Sequence, residues 1–327
     1  MIRRDRLYVC PKSAVESCKV FRGVWPIVKF VTGILYMEIC TLFSNLFSGL
    51  LTKIVIKDEK VEHQIKIENK IQIPPEKNKN LDEKTEVGGI VKRLNQFKNL
   101  LNKNDIYNTY TIAKLARIME FRSVGELENI FKGVTEPNFE FIEKFCNTFG
   151  INEEWLTEGK REPFYLDKKT NYNPFHYYSY LKECNPIQIY FIRSDNSEPS
   201  GYTFIVLKFS DYKYEIIHRL WHIGSGVGSG GQSQIYGMYQ LLKQLDRDKN
   251  LYCSGRILKK EQFDLLYSGK IFPGSILKYP TENNMWWDDF TDVYNQYFSQ
   301  KSYENMYGSG FVSAQNVVKS YLGQEKE

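Results

Sequence analysis

The 327 residues supply two, or three, units and enough material for a core, with Lys+Arg 44 against Asp+Glu 39 and a net charge of +5. So small a basic excess permits nucleic-acid binding without arguing for it, because positive charge has to be local to matter. The six cysteines, Cys10, Cys18, Cys40, Cys146, Cys184 and Cys253, form no Cys-x-x-Cys pair, which favours buried thiols in a reducing, cytoplasmic setting over a disulfide framework or a zinc site.

Residues 1–56 form an apolar and amphipathic N-terminal segment that supports two readings. Between Phe30 and Leu51 the only charge is Glu38, long enough for a membrane span, and Arg3, Arg4, Arg6 and Arg22 precede it. Against a span, Ile39, Leu42, Phe43, Leu46, Phe47, Leu50, Leu51 and Ile54 fall on one helical face with Thr41, Ser44, Asn45, Ser48 and Thr52 opposite. That spacing describes a helix that self-associates or contacts a membrane surface. Met37 opens this helix directly, so the residues before it read as an upstream extension without a structural role. Residues 57–89 are a charged, solvated linker interrupted by Pro74 and Pro75.

From 90 to 165 the apolar residues recur at helical spacing. Ile90, Leu94, Phe97, Leu100 and Leu101 open a bundle, and Asn102 to Tyr110 connect to a short helix carrying Ile112, Leu115, Ala116 and Met119. Glu120, Arg122 and Ser123 break the pattern, with Ser123 as the N-cap whose hydroxyl satisfies an amide of the next helix. Val124, Leu127, Ile130 and Phe131 give that helix its apolar face; Gly133 ends it in a left-handed conformation and Pro137 prevents its continuation. Phe139, Ile142, Phe145, Cys146 and Phe149 make a further stripe closed by Gly150, and Asn152 caps a turn in which Trp155 and Leu156 plug the base.

These residues resemble the lambda-repressor-like (Cro/XRE) helix-turn-helix family of phage-repressor type. The likeness lies in the Leu115-Ala116 pair, Ser123 at the end of the turn, Leu127 and Ile130, the Gly133-x-x-x-Pro137 signature, and the tail GINEEWLTEGKREPF. It covers about a quarter of the chain, and the spacing from Leu115-Ala116 to Gly133 is one residue longer than the family's, an insertion placed at Arg122. The resemblance implies prokaryotic double-stranded DNA binding by a homodimer. Phosphate anchoring would fall to Lys103, Lys114, Arg117, Arg122 and Lys132, the groove would meet Val124, Gly125, Glu126, Glu128 and Asn129, and Thr111 and Ser123 complete the expected DNA-binding set. Glu126 and Glu128 depart from the Arg, Asn and Gln that usually read base edges, and leave Asn129 as the sole bidentate amide.

Beyond Pro163 the composition turns aromatic. NYNPFHYYSY marks a boundary, and IQIYFIRS, YTFIVLKF and YKYEIIHRLWHI read as meandering antiparallel strands with turns at Asp195-Asn196, Pro199-Gly201 and Ser210-Asp211. GSGVGSGG, from Gly224 to Gly231, precedes an amphipathic helix with Ile235, Met238, Tyr239, Leu242 and Leu245 on one side. LYCSGRIL and GSILKY read as further strands, and Val312 to Leu322 as a closing helix. Gly226, Gly228 and Gly231 match a dinucleotide cradle by letter, but the strands before them read as antiparallel, so a flexible hairpin or lid is the stronger reading. His218 and His222 project from one side of a strand without a further ligand, which favours structural histidines over a metal site. Trp286, Trp287, Asp288, Asp289 and Asp292 read as a surface loop anchored by tryptophan. The Gly-Asp-Ser-Met-like context of a self-cleaving repressor domain is not present.

The expected fold class is therefore multidomain: an all-α helix-turn-helix bundle (90–165) followed by an α+β effector or partner-binding domain (172–327), with an amphipathic N-terminal helix. The expected function is transcription regulation by a dimeric repressor with no cofactor, no metal and no enzymatic activity, open at its C-terminal domain to a small-molecule or protein effector. The competing expectation is a protein-interaction or enzymatic component of a phage-defence type system whose bundle docks protein.

Overall fold

The computed structural model describes residues 85–103, 109–166, 168, 170–195, 201–278 and 284–324. The N-terminal segment, nearly all of the charged linker and residues 104–108 lie outside the described residues, so the readings of a membrane or self-association helix fall there too. The described residues belong to one compact unit of mixed α/β architecture. Among them no helix is long and apolar enough to cross a membrane.

Five helices come first: α1 (Glu86–Asn102), α2 (Ile112–Ile118), α3 (Val124–Phe131), α4 (Phe139–Phe149) and α5 (Glu153–Glu158). Helix α1 starts ahead of Ile90 because Thr85 caps it, its hydroxyl accepting from the Gly88 amide at 3.1 Å. Leu94, Phe97, Leu115, Leu127, Phe145, Phe149 and Leu156 form the bundle interior, with Phe145 and Phe149 rings 4.8 Å apart. Two polar side chains of α1 complete it. Arg93 Nε donates to the Leu156 carbonyl at 2.7 Å, and Asn95 Nδ2 to the Phe131 carbonyl at 2.9 Å, satisfying oxygens at the ends of α5 and α3 that no helical amide reaches.

A turn of 3₁₀ helix (Pro174–Tyr177) and α6 (Tyr178–Cys184) lead into strands β1 (Gln188–Ser194), β2 (Tyr202–Lys208) and β3 (Tyr214–His222). Helix α7 (Ser229–Arg247) then carries the chain to β4 (Cys253–Leu258). The sheet order is β3-β2-β1-β4. Strands β1, β2 and β3 form the expected antiparallel meander, whereas β4 pairs parallel to β1, Ile189 opposite Cys253. The chain closes with α8 (Lys260–Tyr267), α9 (Gly274–Leu277), α10 (Trp286–Asp289), α11 (Gln300–Tyr307) and α12 (Ser309–Gln324). Of the segment GSILKY, expected as a strand, Gly274–Leu277 form instead the single-turn α9. Its Ile-Leu pair is too short a signal to separate the two states.

The strands are buried almost end to end because both sheet faces are covered. Tyr190, Ile192, Phe204, Val206, Tyr214, Ile216 and Leu258 face the helical bundle, α8 and α9, and share one apolar cluster with Leu127, Phe145 and Leu156. Ile189, Phe191, Ile205, Leu207, Ile217 and Trp221 face α7 and α10 to α12. The bundle is thus one layer of a three-layer structure.

The described residues Phe164 and Tyr172 lie against opposite faces of β3. His218 Nε2 lies 3.3 Å from the Phe164 carbonyl oxygen on one face, and Trp221 Nε1 donates to the Tyr172 carbonyl at 3.0 Å on the other. Between them, Glu215 accepts from Lys168 Nζ at 2.7 Å and from the Tyr180 hydroxyl at 2.5 Å.

Candidate nucleic-acid interface

Helix α2 begins at Thr111, whose hydroxyl accepts from the Lys114 amide at 3.2 Å, and buries Leu115 and Ala116. Met119 is buried just beyond its end. The chain then reverses through Glu120 at φ 61°. The amides of Glu120 and Phe121 bond the carbonyls of Arg117 and Ala116 at 3.1 and 2.9 Å, a reversed closure that usually places glycine where Glu120 stands. Ser123 is the N-cap residue of α3 but makes no side-chain bond to an amide. Its hydroxyl donates to Glu126 Oε1 at 2.9 Å, correcting the sequence expectation: this charge-assisted bond turns the side chain toward the carboxylate rather than toward the helix amides.

Helix α3 buries Leu127, Ile130 and Phe131. Val124, expected on that apolar face, is 46% exposed because it is the first helical residue and precedes the buried stripe. Gly133, at φ 70°, closes the helix: its amide bonds the Ile130 carbonyl at 3.0 Å and the Val134 amide bonds the Asn129 carbonyl at 2.8 Å. Phe139 is likewise displaced from its expected place, 86% exposed as the first residue of α4, while Phe141 packs inward.

Nine of the ten residues assigned to DNA contact, Thr111, Lys114, Arg117, Arg122, Ser123, Val124, Gly125, Asn129 and Lys132, are solvent-exposed, and Glu128 is half-buried. Gly125, Asn129 and Lys132 recur at helical spacing and form an outward stripe on α3; Thr111, Lys114 and Arg117 recur on α2. A β-carbon added at Gly125 would have no neighbour within 4 Å, so nothing packs over the start of α3. Glu128 Oε1 accepts from Lys132 Nζ at 2.8 Å, so the carboxylates of α3 are engaged with Lys132 and Ser123.

Sequence reasoning missed the neighbours that the sheet brings to α2. Tyr110 is buried and donates its hydroxyl hydrogen to the Asp211 carbonyl at 3.1 Å, and Lys114 Nζ stands 4.2 Å from the centre of the Tyr110 ring. The Lys208 ammonium, 2.8 Å from Asp211 Oδ1, holds that carboxyl below the usual range, with Lys278 and Lys114 adding to the effect. No local periodicity could join positions a hundred residues apart.

The other motifs resolve structurally. Glycine-rich residues 224–228 form a loop, while Ser229, Gly230 and Gly231 already belong to α7. Strand β3 lies at one edge of the sheet and β4 at the other, so α7 spans the whole sheet rather than joining adjacent parallel strands as a dinucleotide cradle does. Trp286, Trp287, Asp289 and Asp292 are buried, not a surface loop. Asp289 accepts from the Tyr307 hydroxyl and Asp292 from the Tyr303 hydroxyl, both at 2.7 Å, which accounts for their burial as polar anchors of α11. Among the described residues no group of three or more His, Cys, Asp or Glu side chains could hold a metal ion.

Comparison with protein-family models, curated proteins and solved structures returned no match.

Proposed function

We propose that the protein is a sequence-specific DNA-binding transcriptional regulator, a dimeric repressor whose α2–turn–α3 segment is a helix-turn-helix and whose sheet region senses an effector or sustains the dimer. The observation carrying this reading is the division of α3: Leu127, Ile130 and Phe131 are buried, whereas Gly125, Asn129 and Lys132 stand in open solvent. An exposed helix of this kind enters the major groove, where Asn129 would pair with adenine, while Thr111, Lys114, Arg117, Arg122 and Lys132 meet phosphates. One short recognition helix reads few base pairs, so paired half-sites about one helical turn apart would supply the affinity.

A gel-shift on the DNA upstream of its own gene tests the reading. The expected result is a salt-sensitive shift that Arg117→Ala/Lys132→Ala abolishes. A second reading, in which the bundle docks protein, draws on the exposure of Val124, Val134 and Phe139 around α3. No shift at low salt would favour it.

A further inference from the structure

We infer that the DNA-contacting surface continues from α2 onto the β2–β3 hairpin, where Lys208, Lys213 and Lys278 supply additional bonds to the phosphate backbone of double-stranded DNA. This inference rests on the DNA-binding reading above. The hairpin is fixed to α2 by the Tyr110 hydroxyl on the Asp211 carbonyl, 3.1 Å, and Lys114 lies over the same Tyr110 ring. Lys208 reaches the hairpin tip, its Nζ 2.8 Å from Asp211 Oδ1. Lys213 immediately precedes β3, its stem beside Gly150 and its ammonium 5.8 Å from the Phe209 ring centre. Lys278 follows α9, which packs on α1, and its charge is felt at Asp211 together with that of Lys114.

Lys208, Lys278 and Lys114 thus gather about the Asp211 carboxylate, with Lys213 beside the same hairpin, next to Thr111 and Arg117 of the α2 row. Binding to phosphate needs fixed positive charge without base recognition, and a patch contiguous with that row lengthens the stretch of backbone it can neutralise. The same charge could hold an acidic protein, but its continuity with α2 favours DNA.

The test is binding of the full-length chain to a random-sequence DNA duplex across a series of salt concentrations. Lys208→Gln/Lys213→Gln/Lys278→Gln should reduce the slope of log affinity against log salt by about 0.9 for each phosphate left without its lysine, and weaken binding by roughly tenfold or more. The corresponding triple arginine variant should keep the parent slope. Asp211→Asn, which removes the opposing charge and releases Lys208, should tighten binding several-fold, an increase that misfolding cannot imitate. A triple glutamine variant with the parent's slope, or an Asp211→Asn protein that binds no tighter, overturns the inference while leaving the DNA-binding reading intact. A parent protein with no affinity for the duplex at low salt overturns both.

Discussion

Gly150 ends α4 at φ +66° directly beneath the Tyr214 carbonyl, leaving only 2.7 Å between that oxygen and the place a β-carbon would occupy. The helix end and the strand therefore meet backbone to backbone, with Tyr212 stacked edge-on to Phe149, ring centres 5.7 Å apart. A residue chosen to close a helix also sets how closely the bundle approaches the sheet.

Gly150→Ala should consequently cost more than an ordinary helix cap. Left-handed strain contributes about 1–2 kcal/mol, and the forced clash with Tyr214 about 1–3 kcal/mol more. Chemical denaturation should show a loss of about 2–5 kcal/mol by this reckoning. A loss below about 0.5 kcal/mol, within the range of neutral surface changes, would mean that the bundle does not sit against β3 in this way.

The shared apolar cluster makes a second prediction. Leu127, Phe145 and Leu156 belong to the same buried cluster as Phe204, Val206 and Ile216, so removing the sheet exposes apolar surface that the bundle alone cannot cover. A fragment of residues 85–166 should melt at a lower temperature than the bundle does within the whole chain, and bind hydrophobic dye. Equal melting temperatures would show that the bundle stabilises itself.

Much of the bundle was legible because its signals are local: Leu115, Leu127 and Phe145 follow helical spacing, and Asn152, Gly133 and Gly150 punctuate it as their chemistry requires. The failures lie where the same spacing fits two residues. Phe139 and Phe141 both extend the α4 stripe, and only the start of the helix after Asn138 decides which is buried. In the sheet region, β-branched and aromatic runs separated by turn residues identified β1 to β3, but the placement of β4 beside β1 depends on α7 spanning the sheet. The burial of Asp289 and Asp292 depends on Tyr307 and Tyr303, more than ten residues downstream. At the candidate interface, the ten residues could be named from the sequence, whereas Tyr110 and Asp211 could not, because only the folded sheet unites them.

Cys146 supplies a pH-dependent prediction. Burial, reinforced by the negative charge of Glu153, pushes its thiol from 9.0 up to about 12. The folded state keeps the proton that the unfolded chain releases, so this contribution to stability is complete below pH 9 and is lost as pH rises toward 12. Across that window the thiol alone should lower unfolding free energy by up to about 1.4 kcal/mol per pH unit. Cys146→Ala should flatten the alkaline slope even if it lowers stability at neutral pH; an unchanged slope would contradict the assignment. In the native protein at pH 8, Cys146 should also resist alkylation, as mass mapping can establish.

The carboxylates of α3 give the most direct examination of the interface itself. Glu128 and Lys132 form a pair with side chains 42% and 61% exposed, and Glu126 holds only the Ser123 hydroxyl, so neither carboxylate is required by the core. Glu126→Gln/Glu128→Gln should leave the folding free energy within about 0.5 kcal/mol of the parent. If α3 lies against DNA, the same change removes two charges that oppose phosphate and frees Lys132 to meet one. Non-specific affinity should then rise several-fold, and the salt dependence should steepen by about 0.9 for the additional phosphate neutralised. Asn129→Ala should act differently, costing about 1–3 kcal/mol of discrimination at one adenine with little effect on non-specific binding. A double glutamine variant that folds normally and binds no better would mean that α3 faces something other than the phosphate backbone, and the protein-docking reading would then gain ground.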